Sequence, residues 1–107
     1  MFARRVSFHL KPGRAAEFTQ LLDKDVIPVL RKQKGFQDEI AFVAQGGAEA
    51  VGISMWDLKE NAETYARGGA YAGVLKTLEQ VVEGTPRVKT YEVSNSTFHK
   101  IAARATA

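Results

Sequence analysis

Residues 36–57 read FQDEIAFVAQGGAEAVGISMWD, and the fold follows from how this stretch divides. Phe36, Ile40 and Phe42 alternate with Gln37, Glu39 and Ala41; after Gln45-Gly46-Gly47-Ala48 a second run, Glu49 to Asp57, alternates again. Successive side chains of a strand point to opposite faces, so a period of two marks half-buried strands, and the glycine pair between them marks a hairpin loop. The two strands are therefore expected to pair antiparallel. In the second run Val51, Ile53 and Met55 point one way while Gly52, Ser54 and Trp56 point the other, and the small residues leave room beside the tryptophan.

Upstream, Val6, Phe8 and Leu10 alternate with Arg5, Ser7 and His9, which predicts a first strand over residues 2–10, ended by the turn Lys11-Pro12-Gly13. From Arg14 onward Phe18, Leu21, Leu22, Val26, Val29 and Leu30 recur at spacings of three and four, the pattern of a helix with one apolar face. Gly35 ends it, and Pro28, which lacks an amide donor and clashes with the preceding turn, predicts a kink near Lys24 or Asp25. Downstream, Asn61 to Arg67 reads as a short helix broken at Gly68-Gly69. Tyr71, Val74, Leu75, Leu78, Val81 and Val82 mark a second helical stripe, and Pro86 opens a last strand, Arg87 to Val93. A polar stretch from Ser94 to Ala107 follows, of which 96–107 is set apart as a C-terminal tail.

Strand, helix, strand, strand, helix pair, strand is the βαββαβ order of an α+β, ferredoxin-like fold: a four-stranded antiparallel sheet with helices on one face. The length of 107 residues fits one domain, 1–107. By the same alternation the second sheet face carries Ser7, His9, Ala41 and Val43, and a part-apolar face of this kind is commonly covered by a second copy, so a homodimer is expected.

The composition removes several function classes. Without cysteine there is no disulfide, thiolate nucleophile or thiolate metal site. The net charge of +3 comes with mixed acids and bases, and its one basic cluster, Arg31, Lys32 and Lys34, closes a predicted helix, where positive charge complements the helix dipole, so nucleic acid is not an expected partner. The opening Met1-Phe2-Ala3-Arg4-Arg5 leads into no apolar run that would serve as a signal-peptide core, and no membrane span is expected, which places the protein in the cytoplasm. Gly46-Gly47 and Gly68-Gly69 do not follow strands in the pattern of a phosphate-binding loop, and His9 and His99 have no neighbour at metal-ligand spacing, so neither a nucleotide cofactor nor a metal is expected.

Three stretches resemble the antibiotic biosynthesis monooxygenase-like family of dimeric α/β barrels. They are Val26-Ile27-Pro28-Val29-Leu30-Arg31 leading to Gly35-Phe36, the strand end Ser54-Met55-Trp56-Asp57, and the two-part helix broken at Gly68-Gly69. The resemblance covers nearly the whole chain. It implies a pocket between helices and sheet, roofed by the second helical segment, and a cofactor-independent oxygenase acting on a small aromatic or quinol-type substrate. Fold alone does not select this activity over the others that the family includes. Many relatives carry a histidine nine positions after the strand-end tryptophan, where this chain has Tyr65. Haem-degrading relatives use an asparagine and a histidine at places that here hold Val6 and Leu75, which argues against haem. The missing histidine supports the alternative, a non-catalytic dimeric protein that binds a small molecule or serves an accessory role; an isomerase of the same superfamily is a third reading.

The site residues are weighed on the same footing. Tyr65 and Trp56 are the catalytic candidates: a phenol beside an apolar pocket donates a hydrogen bond to a substrate oxygen, orients a phenolate, or transfers a proton if its pKa falls from about 10, and an indole stacks on a planar ligand. Packing alone also accounts for both. Tyr71 and Asn61 are the substrate-binding candidates. Tyr71 is equally the first core residue of its helix, and Asn61 near a helix start equally serves as a cap. His9 is expected on the sheet face away from the helices, in an interface role.

Overall fold

The computed structural model describes residues 1–101. Strand β1 (Phe2–Leu10) leads through the Pro12-Gly13 turn into helix α1 (Ala15–Leu21), a π-helical turn (Leu22–Val26) and α2 (Ile27–Arg31). Strands β2 (Phe36–Val43) and β3 (Glu49–Trp56) form the hairpin; α3 (Lys59–Arg67) and α4 (Gly69–Leu78) follow, and β4 (Val82–Glu92) closes the sheet. The sheet is antiparallel throughout, in the order β2-β3-β1-β4. This is the ferredoxin-like arrangement expected from the sequence.

Pro28 acts where its chemistry requires. It sits in the first turn of α2, where a missing amide proton costs nothing, and the helix before it widens so that the Ile27 amide reaches the Leu22 carbonyl, five residues back. The widened turn contains the kink positions Lys24 and Asp25.

The core lies between the helices and one face of the sheet. Phe2, Val6, Phe8 and Leu10 of β1 point into it and meet Phe18, Leu22, Val26 and Leu30 from the first helical segment and Val74 and Leu78 from α4. Phe8 and Phe18 touch edge to face, with ring centroids 5.5 Å apart.

Two sequence expectations change. Register shows Phe36 opposite Trp56 but Asp38 opposite Met55, so Gln37 is an extra residue in β2. The bulge reverses the faces beyond it. Glu39, Ala41 and Val43 pair with Ser54, Gly52 and Ala50 on the helix side, whereas Ile40 and Phe42 pair with Ile53 and Val51 on the open side, the reverse of the expectation for Ala41 and Val43. The second change concerns the end of the chain: α4 stops at Leu78 and β4 begins at Val82, not Arg87. Pro86 breaks no strand, because β4 bulges between the pairs His9–Glu83 and Ser7–Arg87, with Gly84 at φ +69° in the loop-out. An edge strand tolerates proline at such a bulge.

Ser7, His9, Ile40 and Phe42 lie on the open face, and the segment after β4 crosses the sheet on that side until His99 meets Asp38 of β2. Residues 102–107, half of the expected tail, lie outside the described residues. Among the described residues no helix is long and apolar enough to cross a membrane.

Candidate active site

A cavity opens between sheet and helices. Its floor is Arg4, Val6 and Phe8 of β1 with Gly52 and Ser54 of β3; Phe18, Leu22, Val26 and Leu30 close one side, and Tyr65 of α3 with Tyr71, Val74 and Leu75 of α4 form the roof. Water-sized molecules have about 50 Å³ of room for their centres, within about 490 Å³ of empty space that includes the open mouth. Gly52 and Ser54 are why there is space: they are the small helix-facing residues of β3, between larger side chains on either side.

One end of the cavity is an aromatic stack capped by a cation. Trp56 is 0% exposed and donates its Nε1 hydrogen to Ser54 Oγ at 2.9 Å. Its ring stacks on Tyr65, centroids 5.1 Å apart at 29°, while Phe36 meets its other side edge-on at 5.6 Å. Tyr65 leans on Tyr71 at 5.4 Å. The guanidinium of Arg4 lies 4.4 Å from the Tyr71 ring centre and 5.6 Å from that of Tyr65, close enough for cation–π attraction to both. Arg4 is only 5% exposed.

Burial pushes the Tyr65 phenol up to about 12; the positive charge of Arg4 pulls down and Tyr71 pushes up, but desolvation wins. Tyr65 therefore keeps its proton across the neutral range and is suited to donating a hydrogen bond. Glu39, at the cavity edge, is raised above the ordinary carboxylate range, first by burial and second by the charge of Asp23. A carboxylate held in this way is a stronger proton acceptor than one in water.

Of the residues singled out in the sequence, Tyr65 and Tyr71 come together on the cavity wall. Trp56 is not on the lining but directly behind Tyr65, fixing that ring. Asn61 is away from the cavity: its Nδ2 donates to Asp57 Oδ1 at 2.8 Å, and the same oxygen accepts the Leu58 amide, at the turn into α3. His9 is exposed on the open face, 3.8 Å from Glu49. Val6 and Leu75 both line the cavity and offer it only hydrocarbon. Among the described residues, no three His, Cys, Asp or Glu side chains gather as metal ligands would.

Sequence reasoning missed Arg4 and Glu39. Arg4 had a signal: continuing the series Leu10, Phe8, Val6 back by two places arrives at a charged residue on the helix-facing side. Glu39 had none, because the bulge that turns it inward leaves no mark in the alternation.

No family model matches the sequence, and no curated protein matches it. Solved structures do match the fold. A candidate antibiotic biosynthesis monooxygenase of Bordetella bronchiseptica aligns with TM-score 0.77 at 14% identity, covering 88% of this chain and 97% of that one. A monooxygenase of Streptomyces coelicolor, solved with nanaomycin D, aligns with TM-score 0.76 at 16% identity over 92% of each chain. SnoaB, a cofactor-independent oxygenase of Streptomyces nogalater, aligns with TM-score 0.74 at 13% identity, covering 90% and 95%. At such identities the likeness shows a shared fold, and that fold is the one carried by structures named as antibiotic biosynthesis monooxygenases.

Proposed function

We propose that the chain is a cofactor-independent monooxygenase acting in the cytoplasm on a small aromatic, quinol-type substrate held in the cavity between helices and sheet. The observation that carries this reading is the cavity itself, apolar along its length and polar at one end, where Arg4, Tyr65 and Tyr71 converge. Apolar walls with a few convergent polar groups suit a flat aromatic ligand. The fold shared with SnoaB and with the nanaomycin D-bound monooxygenase is consistent with it.

The chemistry asked of the protein is modest. Glu39 takes a proton from the substrate, and the resulting carbanion, delocalised onto a ring oxygen, supplies electrons to dioxygen, forming a carbon–oxygen bond. Glu39 returns its proton to the peroxide anion, and the hydroperoxide loses water as its O–O and remaining C–H bonds break, leaving a carbonyl. Tyr65 donates to the substrate oxygen, Trp56 holds Tyr65 in place, Tyr71 packs against the ring, and the apolar walls exclude water. Asn61 acts on this site only through the turn it ties to Asp57.

The protomer is proposed to work as a homodimer. Ile40 and Phe42, 45% and 52% exposed on the open face beside Val51 and Ile53, form an apolar surface that a second copy would cover.

A non-catalytic binding protein is the competing reading, favoured by the proton that Tyr65 retains. Oxygen uptake over a panel of anthrones and hydroquinones separates the two. The enzyme reading expects uptake by the wild type that falls about tenfold or more in Tyr65→Phe, the usual size of a lost hydrogen bond to a developing charge. No uptake across the panel rejects it in favour of the binder.

A further inference from the structure

Arg4 is only 5% exposed, a burial that calls for an opposite charge, and among the described residues no carboxylate forms an ion pair with it. Tyr65 on α3 and Tyr71 on α4 offer ring faces, not carboxylates. Glu63 and Lys59 of α3 share the hollow on its outer side, but Glu63 is engaged by Lys59 at 3.7 Å and by Arg67 at 3.6 Å. Glu39 on β2 borders the same cavity without forming an ion pair with it. The remaining neighbours in the cavity are almost all apolar, so the guanidinium rests against two ring faces at the border of the ligand space, where its hydrogen-bond donors have few partners.

We infer that Arg4 sets the charge of the ligand: the cavity binds its aromatic ligand as the oxyanion, a phenolate or enolate whose oxygen pairs with the guanidinium. The inference rests on the cavity being the ligand site, as proposed above, but not on oxygen chemistry. On binding, the ligand O–H bond breaks, its electron pair stays on oxygen, and the proton leaves to solvent. A charge pair in a poorly solvated cavity is stronger than one in water, so the ligand ionises at a lower pH when bound than when free.

Two probes of nearly equal shape test this: 4-nitrophenol, whose colour reports its ionisation, and its methyl ether 4-nitroanisole, which cannot ionise. The wild type is expected to bind the phenolate at least about tenfold more tightly than the ether and to lower the pH at which the bound phenol ionises by about one unit. Arg4→Met is expected to abolish both effects while still binding the ether; its melting temperature should change little, since an apolar chain of similar length replaces a charge that forms no ion pair among the described residues. Arg4→Lys is expected to retain part of the preference. If the wild type binds ether and phenolate alike, or if the preference survives Arg4→Met, the inference is overturned while the ligand cavity stands. If neither probe binds, the cavity reading falls with it. Should Arg4→Met fail to fold, the wild-type comparison and Arg4→Lys decide alone.

Discussion

At the scale of single residues, the chemistry of this protein is set by how three polar side chains tolerate an apolar cavity. Tyr65 answers by keeping its proton. Its pKa of about 12 against an ordinary 10 means that the unfolded chain ionises first, so native stability is intact below pH 10 and is lost as pH rises toward 12. The loss is up to about 3 kcal/mol at two pKa units. Alkaline titration of tyrosinate absorbance should show one tyrosine ionising near 12, and Tyr65→Phe should remove that step and flatten the alkaline fall in stability. Glu39 has the same sign at lower pH. Its folded pKa is raised, so it favours the native state below the ordinary carboxylate value and ceases to do so as pH climbs through the raised one. Glu39→Gln should therefore melt higher than the wild type at neutral pH, with the difference vanishing in acid. An unchanged neutral melting temperature would reject the burial of this carboxyl. Neither behaviour was legible from residue type alone, because the environment that shifts each group comes from other elements.

At the scale of elements, the junction between the first helical segment and β2 depends on Gly35. Its φ of +82° belongs to the left-handed region, and a Cβ there would come 2.2 Å from Asp57 Oδ1 and 2.8 Å from Asn61 Cβ. Asp57 and Asn61 are tied to each other at 2.8 Å and cannot yield cheaply. Gly35→Ala should cost about 2 kcal/mol or more, seen as a melting temperature lower by roughly 8 °C or more with the same denaturant slope. A loss within experimental error would contradict the packing at this turn. Elements were the most legible level. The alternations of β1 and β3, the proline break and the double-glycine break are local stereochemistry, and each is found where the sequence places it. What the sequence concealed were the two bulges: one extra residue at Gln37 and the loop-out at Gly84 change register without changing composition.

At the scale of the whole molecule, the proposed dimer turns on the open sheet face. Ile40 and Phe42 stand out from it, and the segment ending at His99 covers only one end. Sedimentation of the wild type at micromolar concentration should give twice the chain mass, and Phe42→Glu should give the single chain with its far-ultraviolet circular dichroism retained, since a charge buried at an apolar interface is costly. A monomeric wild type would remove the dimer from the account. The sequence by itself determined the order of elements and the helix breaks, because hydrophobic period, proline and glycine act within a few residues of themselves. Only the tertiary structure decided that Trp56 lies behind the cavity wall and not in it, that Glu39 turns inward, and that Arg4 meets two tyrosines more than sixty positions away. Burial, register after a bulge and the contacts of a cation are properties of distant chain segments brought together, and no local pattern encodes them.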